Sequence, residues 1–267
     1  MRGSIITLLL CLMAVLSSGC ATFNPYEKVA PSSISNLASH GQVRLERGQP
    51  RPLIDAAGKL IGLPNRIALG NMKVDNHDIS QATELEITNY LEQNGLSDVM
   101  VRSNQYAPRD EFRRMIANDK IRPIWKMSFG SYNWLKYTLL PGRLTGGDWY
   151  NPYSESLHIY SDSPILGIAQ ASYAEDLRNR VNPGAYAAIK DIPLAGLAHE
   201  TASTKLALRW YEQKSPAESK AAHDILYPSY GASVGGQIAS FVPYGQVFGR
   251  VVGGGLGRVA SELKTRR

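Results

Sequence analysis

The chain reads as an α+β protein, a small mixed sheet with helices followed by a mainly helical C-terminal half. Three features carry that reading. Ser156-Leu157-His158-Ile159-Tyr160 alternates as a strand and runs into Ser161-Asp162-Ser163-Pro164, a helix start. Upstream, a helical pattern over 79–94, a short strand at Val99-Met100-Val101 and a second helix from Arg109 to Asn118 follow one another in α/β order. Beyond Pro164 nearly every segment opens with a helix signal.

Taken in order, residues 1–19 are a targeting segment. Arg2 supplies a positive start, Ile5 to Leu16 is apolar apart from Thr7, and Ser17-Ser18-Gly19 supplies small residues before Cys20. Leu16-Ser17-Ser18-Gly19-Cys20 resembles a bacterial lipoprotein signal, with the branched apolar residue one place early. The resemblance implies that Cys20 is acylated and becomes the new N-terminus. Ala21 in place of Asp implies sorting to the outer membrane, with the body in the periplasm. Cys11 leaves with the signal and Cys20 takes lipid, so no thiol remains for a disulfide or for nucleophilic chemistry.

Residues 20–52 are polar and hold Pro25, Pro31, Ser32, Ser33 and Ser35, the composition of a tether. Residues 53–142 form a small α/β subdomain in this reading. Leu53-Ile54-Asp55 and Lys59-Leu60-Ile61 flank Gly58 as a small hairpin, and Arg66 to Val74 is a further strand. Asp78 caps the helix over 79–94, with Gln81 three residues on, and Asn94-Gly95 stops it. Ile121 to Tyr137 is aromatic-rich and extended. In residues 143–226 the helices are Pro164 to Arg180, Pro183 to Lys190, Leu194 to Lys214 and Pro216 to Leu226. The last opens on Ser215-Pro216-Ala217-Glu218, a capping box with Pro at the first helical position.

Residues 227–267 are rich in glycine. No formal charge falls between Ile225 and Gly249, and Gly245, Gly249 and Gly253 recur every fourth position. Such a ridge lets a second helix approach closely, either within the chain or in a homo-oligomer, and it equally suits a membrane-inserting segment.

A formal net charge of +6 permits contact with anionic lipid headgroups. The basic residues are scattered singly and in pairs without interleaved aromatics, so no nucleic-acid partner is expected.

The stretch Gly146 to Arg180 organises the chain. It joins a turn, Gly146-Gly147-Asp148-Trp149-Tyr150-Asn151-Pro152, to the strand and to a helix presenting Ala169, Tyr173 and Asp176 on one face. It is similar to a bacterial family of zincin-like metallopeptidase domains, in which a G-D-H-Y-N-P turn and a Y-S-D strand end lead into an H-E-x-x-H helix. The likeness runs through Ile79–Gln81, Glu92–Gly95, Asn104–Pro108, Tyr137–Arg143 and Tyr227–Gly236.

The family uses two imidazoles one helical turn apart to hold zinc and the intervening Glu as base to a metal-bound water. Here Gly147, Asp148, Tyr150, Asn151, Pro152, Tyr160, Ser161 and Asp162 match. Ala169 and Tyr173 stand at the two ligand positions, Gln170 at the base and Trp149 at the turn histidine, and only Asp176 is kept. Alanine offers no lone pair, and Gln cannot accept a proton at neutral pH.

The resemblance therefore implies a degenerate domain without catalysis or a cofactor, serving as a binding or structural protein for an envelope partner and joined to the bilayer by Cys20. The alternatives are a zinc-dependent hydrolase with a relocated site of His158, Asp176, His199 and Glu200, and a membrane-assembly protein acting through the glycine-rich segment. His77 among Asp75, Asn76 and Asp78 reads as an ordinary pre-helix loop. Ser233 in G-x-S-x-G lacks a preceding strand and any later Asp or His, and Ser261 in S-x-x-K lacks companion motifs, so neither is taken as a nucleophile.

Overall fold

The computed structural model describes residues 24–30, 41–190, 192, 194–241 and 245–265. Cys20 and the targeting segment lie outside the described residues. The fold is α+β, with one four-stranded mixed sheet and many helices. The strands are β1 (Leu45–Arg47), β2 (Met100–Ser103), β3 (Trp149–Asn151) and β4 (Ser156–Ile159), in the order β1-β2-β4-β3. β1, β2 and β4 are parallel, with Val101 facing Leu45 and Leu157, and β3 returns antiparallel on β4.

The sheet crosses the boundaries read from composition. β1 comes from the stretch taken as a tether, and β4 from the region beyond residue 142, so the α/β part has no sheet of its own. A second anchor lies earlier still, where Lys28 bridges Arg180.

The helices are α1 (Pro52–Ile61), α2 (Leu63–Leu69), α3 (Gln81–Gln93), α4 (Pro108–Ala117), α5 (Ser131–Leu139), α6 (Pro164–Arg178), α7 (Pro183–Lys190), α8 (Gly196–Glu212), α9 (Pro216–Ile238) and α10 (Gly245–Thr265). Four expectations are corrected. Residues 53–61 are a helix, because Gly58 marks a close approach and not a turn. A Cβ there would overlap the carbonyl oxygen of Arg143 and come 2.6 Å from Nε2 of His77. That helix buries Asp55 and Gly58 and leaves Leu53, Leu60 and Ile61 exposed, the reverse of an ordinary amphipathic face. Residues 66–74 contribute the end of α2, stopped by Gly70 in the left-handed region, and a loop.

Residues 123–139, expected to be extended as far as Tyr137, are helical. A turn at Pro123–Trp125 feeds a π-helical stretch, Lys126–Gly130, and then α5. The wider π turn puts the aromatics out of phase with a 3.6 repeat and hides the helix from periodicity. Finally, α9 does not stop at Leu226 but runs through Pro228 to Ile238.

The helix over 79–94 is present as α3, with a different cap. Ser80 is the N-cap, its Oγ accepting from the amide of Thr83. Ile87, Leu91, Val101, Leu157, Ile159, Ile168 and Tyr173 are central to the core, in which α3 and α6 pack together and α6 also packs on α8. At roughly 25 cal/mol per Å², each fully buried side chain of this size contributes about 1.5–3 kcal/mol.

Candidate functional site

The motif that organises the sequence also organises the structure. Asp148 Oδ1 accepts from the amides of Tyr160 (2.7 Å) and Ser161 (3.0 Å), fastening the turn before β3 to the end of β4. Gly146 and Gly147 take positive φ, and the amide of Gly147 donates to Asp75 Oδ1 (2.5 Å). Burial of the Asp148 carboxyl, with Asp75 close by, pushes it up to about 7 against the pull of the Tyr160 amide. Asp148 Oδ2 has no hydrogen-bond partner among the described residues.

Asp162 works at a distance. It accepts from the Oγ atoms of Ser80 (2.6 Å) and Thr83 (Oγ1, 2.6 Å) and from the Ser80 amide (3.1 Å), which ties α6 to the N-terminus of α3. Its own helix begins at Ser163, whose side chain makes no cap bond. Burial alone would raise the Asp162 carboxyl, but the bonds from Ser80 and Thr83 hold it at about 2.

On α6, Ala169, Tyr173 and Asp176 are buried and Gln170 is half-buried. Tyr173 meets Tyr150 edge-on (5.8 Å) and His199 at 5.7 Å, and Lys190 Nζ sits 3.9 Å from the centre of its ring. Asp176 is saturated: Oδ1 accepts from Arg180 (2.5 Å) and Oδ2 from the hydroxyl of Tyr186 (2.5 Å). The Arg180 guanidinium also lies 4.1 Å over the Tyr186 ring.

His199 stacks on Tyr186 at 3.9 Å and its Nε2 donates to the Tyr186 carbonyl (2.7 Å). Burial lowers its pKa, so the imidazole is neutral at pH 7. Tyr26 closes the cluster, packing edge-on to Tyr186 at 5.6 Å. The face where a zincin-like helix would hold metal is thus filled by tyrosine rings, an ion pair and an ammonium group.

His158 belongs to a different network. It is fully buried on β4, stacked on Trp149 at 4.4 Å, with Nε2 3.1 Å from Ser156 Oγ and 3.6 Å from Glu111. Glu111 accepts from Ser154, Ser156 and Arg102. Burial would raise its pKa, but His158, Arg102 and Ser154 hold it far below the carboxylate range. The fully buried Arg102 also pairs with Glu46 and Asp110.

Of the four residues of the relocated site, the structure therefore brings Asp176 and His199 to one cluster, both on Tyr186, and sets His158 beside Trp149 and Glu111. Glu200 is half-exposed on α8. Among the described residues, no group of three or more His, Cys, Asp or Glu is placed to hold a metal ion.

His77 sits in the loop before α3 with φ 56°. Asn104 donates through Nδ2 to the His77 carbonyl (3.1 Å), which turns its Oδ1 toward His77 Nδ1 (3.1 Å) and fixes the proton there. The other edge of the ring abuts Gly58. A cavity of about 460 Å³ lies beside it, at the carboxyl ends of β1 and β2.

Sequence reasoning did not find Tyr186, Arg180, Lys190 or Tyr26. Only Asp176–Arg180 left a readable signal, an acid and a base at i and i+4. Fold and site together define an α+β protein whose helix α6 packs Ala169, Tyr173 and Asp176 internally. Comparison with family models, with curated proteins and with solved structures gives no match.

Proposed function

We propose that the chain is a lipoprotein of the bacterial envelope, anchored to the outer membrane through acylated Cys20, whose periplasmic body is a catalytically degenerate zincin-like domain acting as a binding or structural protein. The observation that carries this reading is the use made of Tyr173 and Asp176. One is packed among Tyr150, His199 and Lys190, and the other spends both oxygens on Arg180 and Tyr186. Ala169 and Gln170 add neither a ligand nor a base. A zinc hydrolase needs an open coordination position with a water activated by a nearby base, and this helix face offers aromatic rings in its place.

The test is the metal content of the mature chain carrying Cys20→Ser, prepared without chelator, beside the same chain with Glu200→Ala. The expected result is no stoichiometric zinc in either. Near-stoichiometric zinc that disappears with Glu200→Ala would replace this reading with the relocated hydrolase. The anchor has its own test: palmitate should label the native chain in cells and not the Cys20→Ser chain.

A further inference from the structure

The glycine ridge of the C-terminal segment is consumed inside the protein. A Cβ at Gly253 would overlap the carbonyl oxygen of Gly231, and one at Gly249 that of Gly235, so α9 and α10 meet backbone to backbone. Zipping the hairpin this way turns its larger side chains outward. Tyr230, Val234 and Ile238 of α9 and Phe248, Val252 and Leu256 of α10 border a shallow groove of about 640 Å³. Phe248 is 74% exposed, Leu256 67% and Ile238 59%, and Val259 and Leu263 extend the same stripe of α10. Water faces a continuous apolar surface here, which soluble proteins rarely leave without a function.

We propose that this face of the α9–α10 hairpin lies on an anionic lipid bilayer, its apolar side chains entering the boundary between headgroups and acyl chains. Three observations choose the bilayer over other occupants. First, α10 carries Arg250, Arg258 and Lys264 against the single acid Glu262. This is the pattern of a helix lying in an anionic interface. Arg258 reaches back to Gly70 and Arg250 packs on Gly236, off the apolar stripe, and a second copy paired through α10 would bring a helix of the same net positive charge.

Second, no helix among the described residues is long and apolar enough to cross a membrane, so a contact of this hairpin with a bilayer would be a surface contact and not a span. Third, the N-terminal segment docks on the start of α8, whose approach is bonded to the end of α9. Tyr26 packs against His199 (6.1 Å) in the first turn of α8, and just ahead of that turn the amide of Leu194 donates to Gln237 at the end of α9. Cys20 precedes Tyr26 by six residues, a span of at most about 21 Å. This last point rests on the lipoprotein reading; the first two do not.

The experiment uses the mature chain with Cys20→Ser, so that no acyl group contributes. It is sedimented with vesicles of phosphatidylethanolamine and phosphatidylglycerol, and in parallel with vesicles of phosphatidylcholine alone. The expected result is binding to the anionic vesicles that weakens about tenfold on phosphatidylcholine or in high salt. It should weaken about tenfold or more with Phe248→Glu and Leu256→Glu together. Both sites are exposed, so the fold should survive; Val252→Asn serves as a second variant, and thermal unfolding checks each.

A chain that stays in solution with both vesicle types would overturn the proposal, as would binding indifferent to all three substitutions. A dimer in sedimentation velocity that these substitutions split, without vesicle binding, would assign the face to a second copy. Because Cys20 is replaced throughout, failure here is separable from failure of palmitate labelling.

Discussion

Asp148 and Asp162 lie on either side of the same strand end and titrate in opposite directions. The folded pKa of Asp148 lies above the ordinary carboxylate value. Between about pH 4 and pH 7 the unfolded chain ionises this group while the folded chain keeps its proton, and stability falls as pH rises. Each unit of that offset is worth about 1.4 kcal/mol. Asp148→Asn keeps an oxygen for the amides of Tyr160 and Ser161 and cannot ionise. It should be more stable than the native chain at about pH 8 and lose that advantage near pH 4, as read from urea midpoints. Equal differences at the two pH values would mean that Asp148 does not titrate in this window.

Asp162 has the reverse sign. Its contribution is present above about pH 4 and is lost as pH falls through about 2. Asp162→Ala should cost about 1–2 kcal/mol at neutral pH, the usual value of a helix cap, and the gap to the native chain should narrow in acid. At this scale the sequence was legible where a residue's role is local, as for Ser215 and Glu218 in their capping box. It was silent where the partner is far along the chain. Asp162 reads as part of the start of the helix that follows it, yet it serves a helix whose N-cap, Ser80, lies 82 residues earlier.

Among elements, α10 separates two kinds of glycine. A methyl at Gly253 meets the backbone of Gly231, whereas nothing lies within 4 Å of one at Gly255. Gly253→Ala should lower the thermal midpoint by prising α9 from α10. Gly255→Ala should raise stability by about 0.5–1 kcal/mol, the ordinary helix preference for alanine. If both substitutions stabilise, the close packing of the hairpin is wrong.

The helices after Pro164 were legible because caps and prolines mark their starts, and the capping box at Ser215 and Glu218 forms as read. The helices at 52–61 and 123–139 were not. In the first, Leu53, Leu60 and Ile61 do recur at helical spacing, but around Gly58 the same residues also read as a hairpin; the second contains a π turn that breaks the 3.6 repeat. Pro228 misled in the other direction, since a proline within a helix usually ends it and here α9 continues for ten more residues.

At the scale of the whole molecule, the α+β class was legible and the division into subdomains was not, because strands that far apart leave no trace of which will pair. The candidate site was half legible. That Ala169, Gln170 and Tyr173 offer no zinc ligand or base could be read from their types, but not the rings and charges packed around them. Restoring Ala169→His, Gln170→Glu and Tyr173→His asks whether the backbone still holds a metal geometry. The expected outcome is a folded chain that gains zinc only at the expense of stability, since Tyr173 leaves contacts with Tyr150 and His199.

The hairpin also differs from the sheet in how it forms. Its glycine contacts join neighbours in sequence, Gly235 to Gly249 and Gly231 to Gly253, while the sheet must bring Leu45 to Val101 and Met100 to Ser156. Loops that short close orders of magnitude sooner than the sheet assembles. Contact order therefore places this hairpin, with its apolar outer face, ahead of the sheet in folding, and Gly253→Ala should then slow folding more than it speeds unfolding.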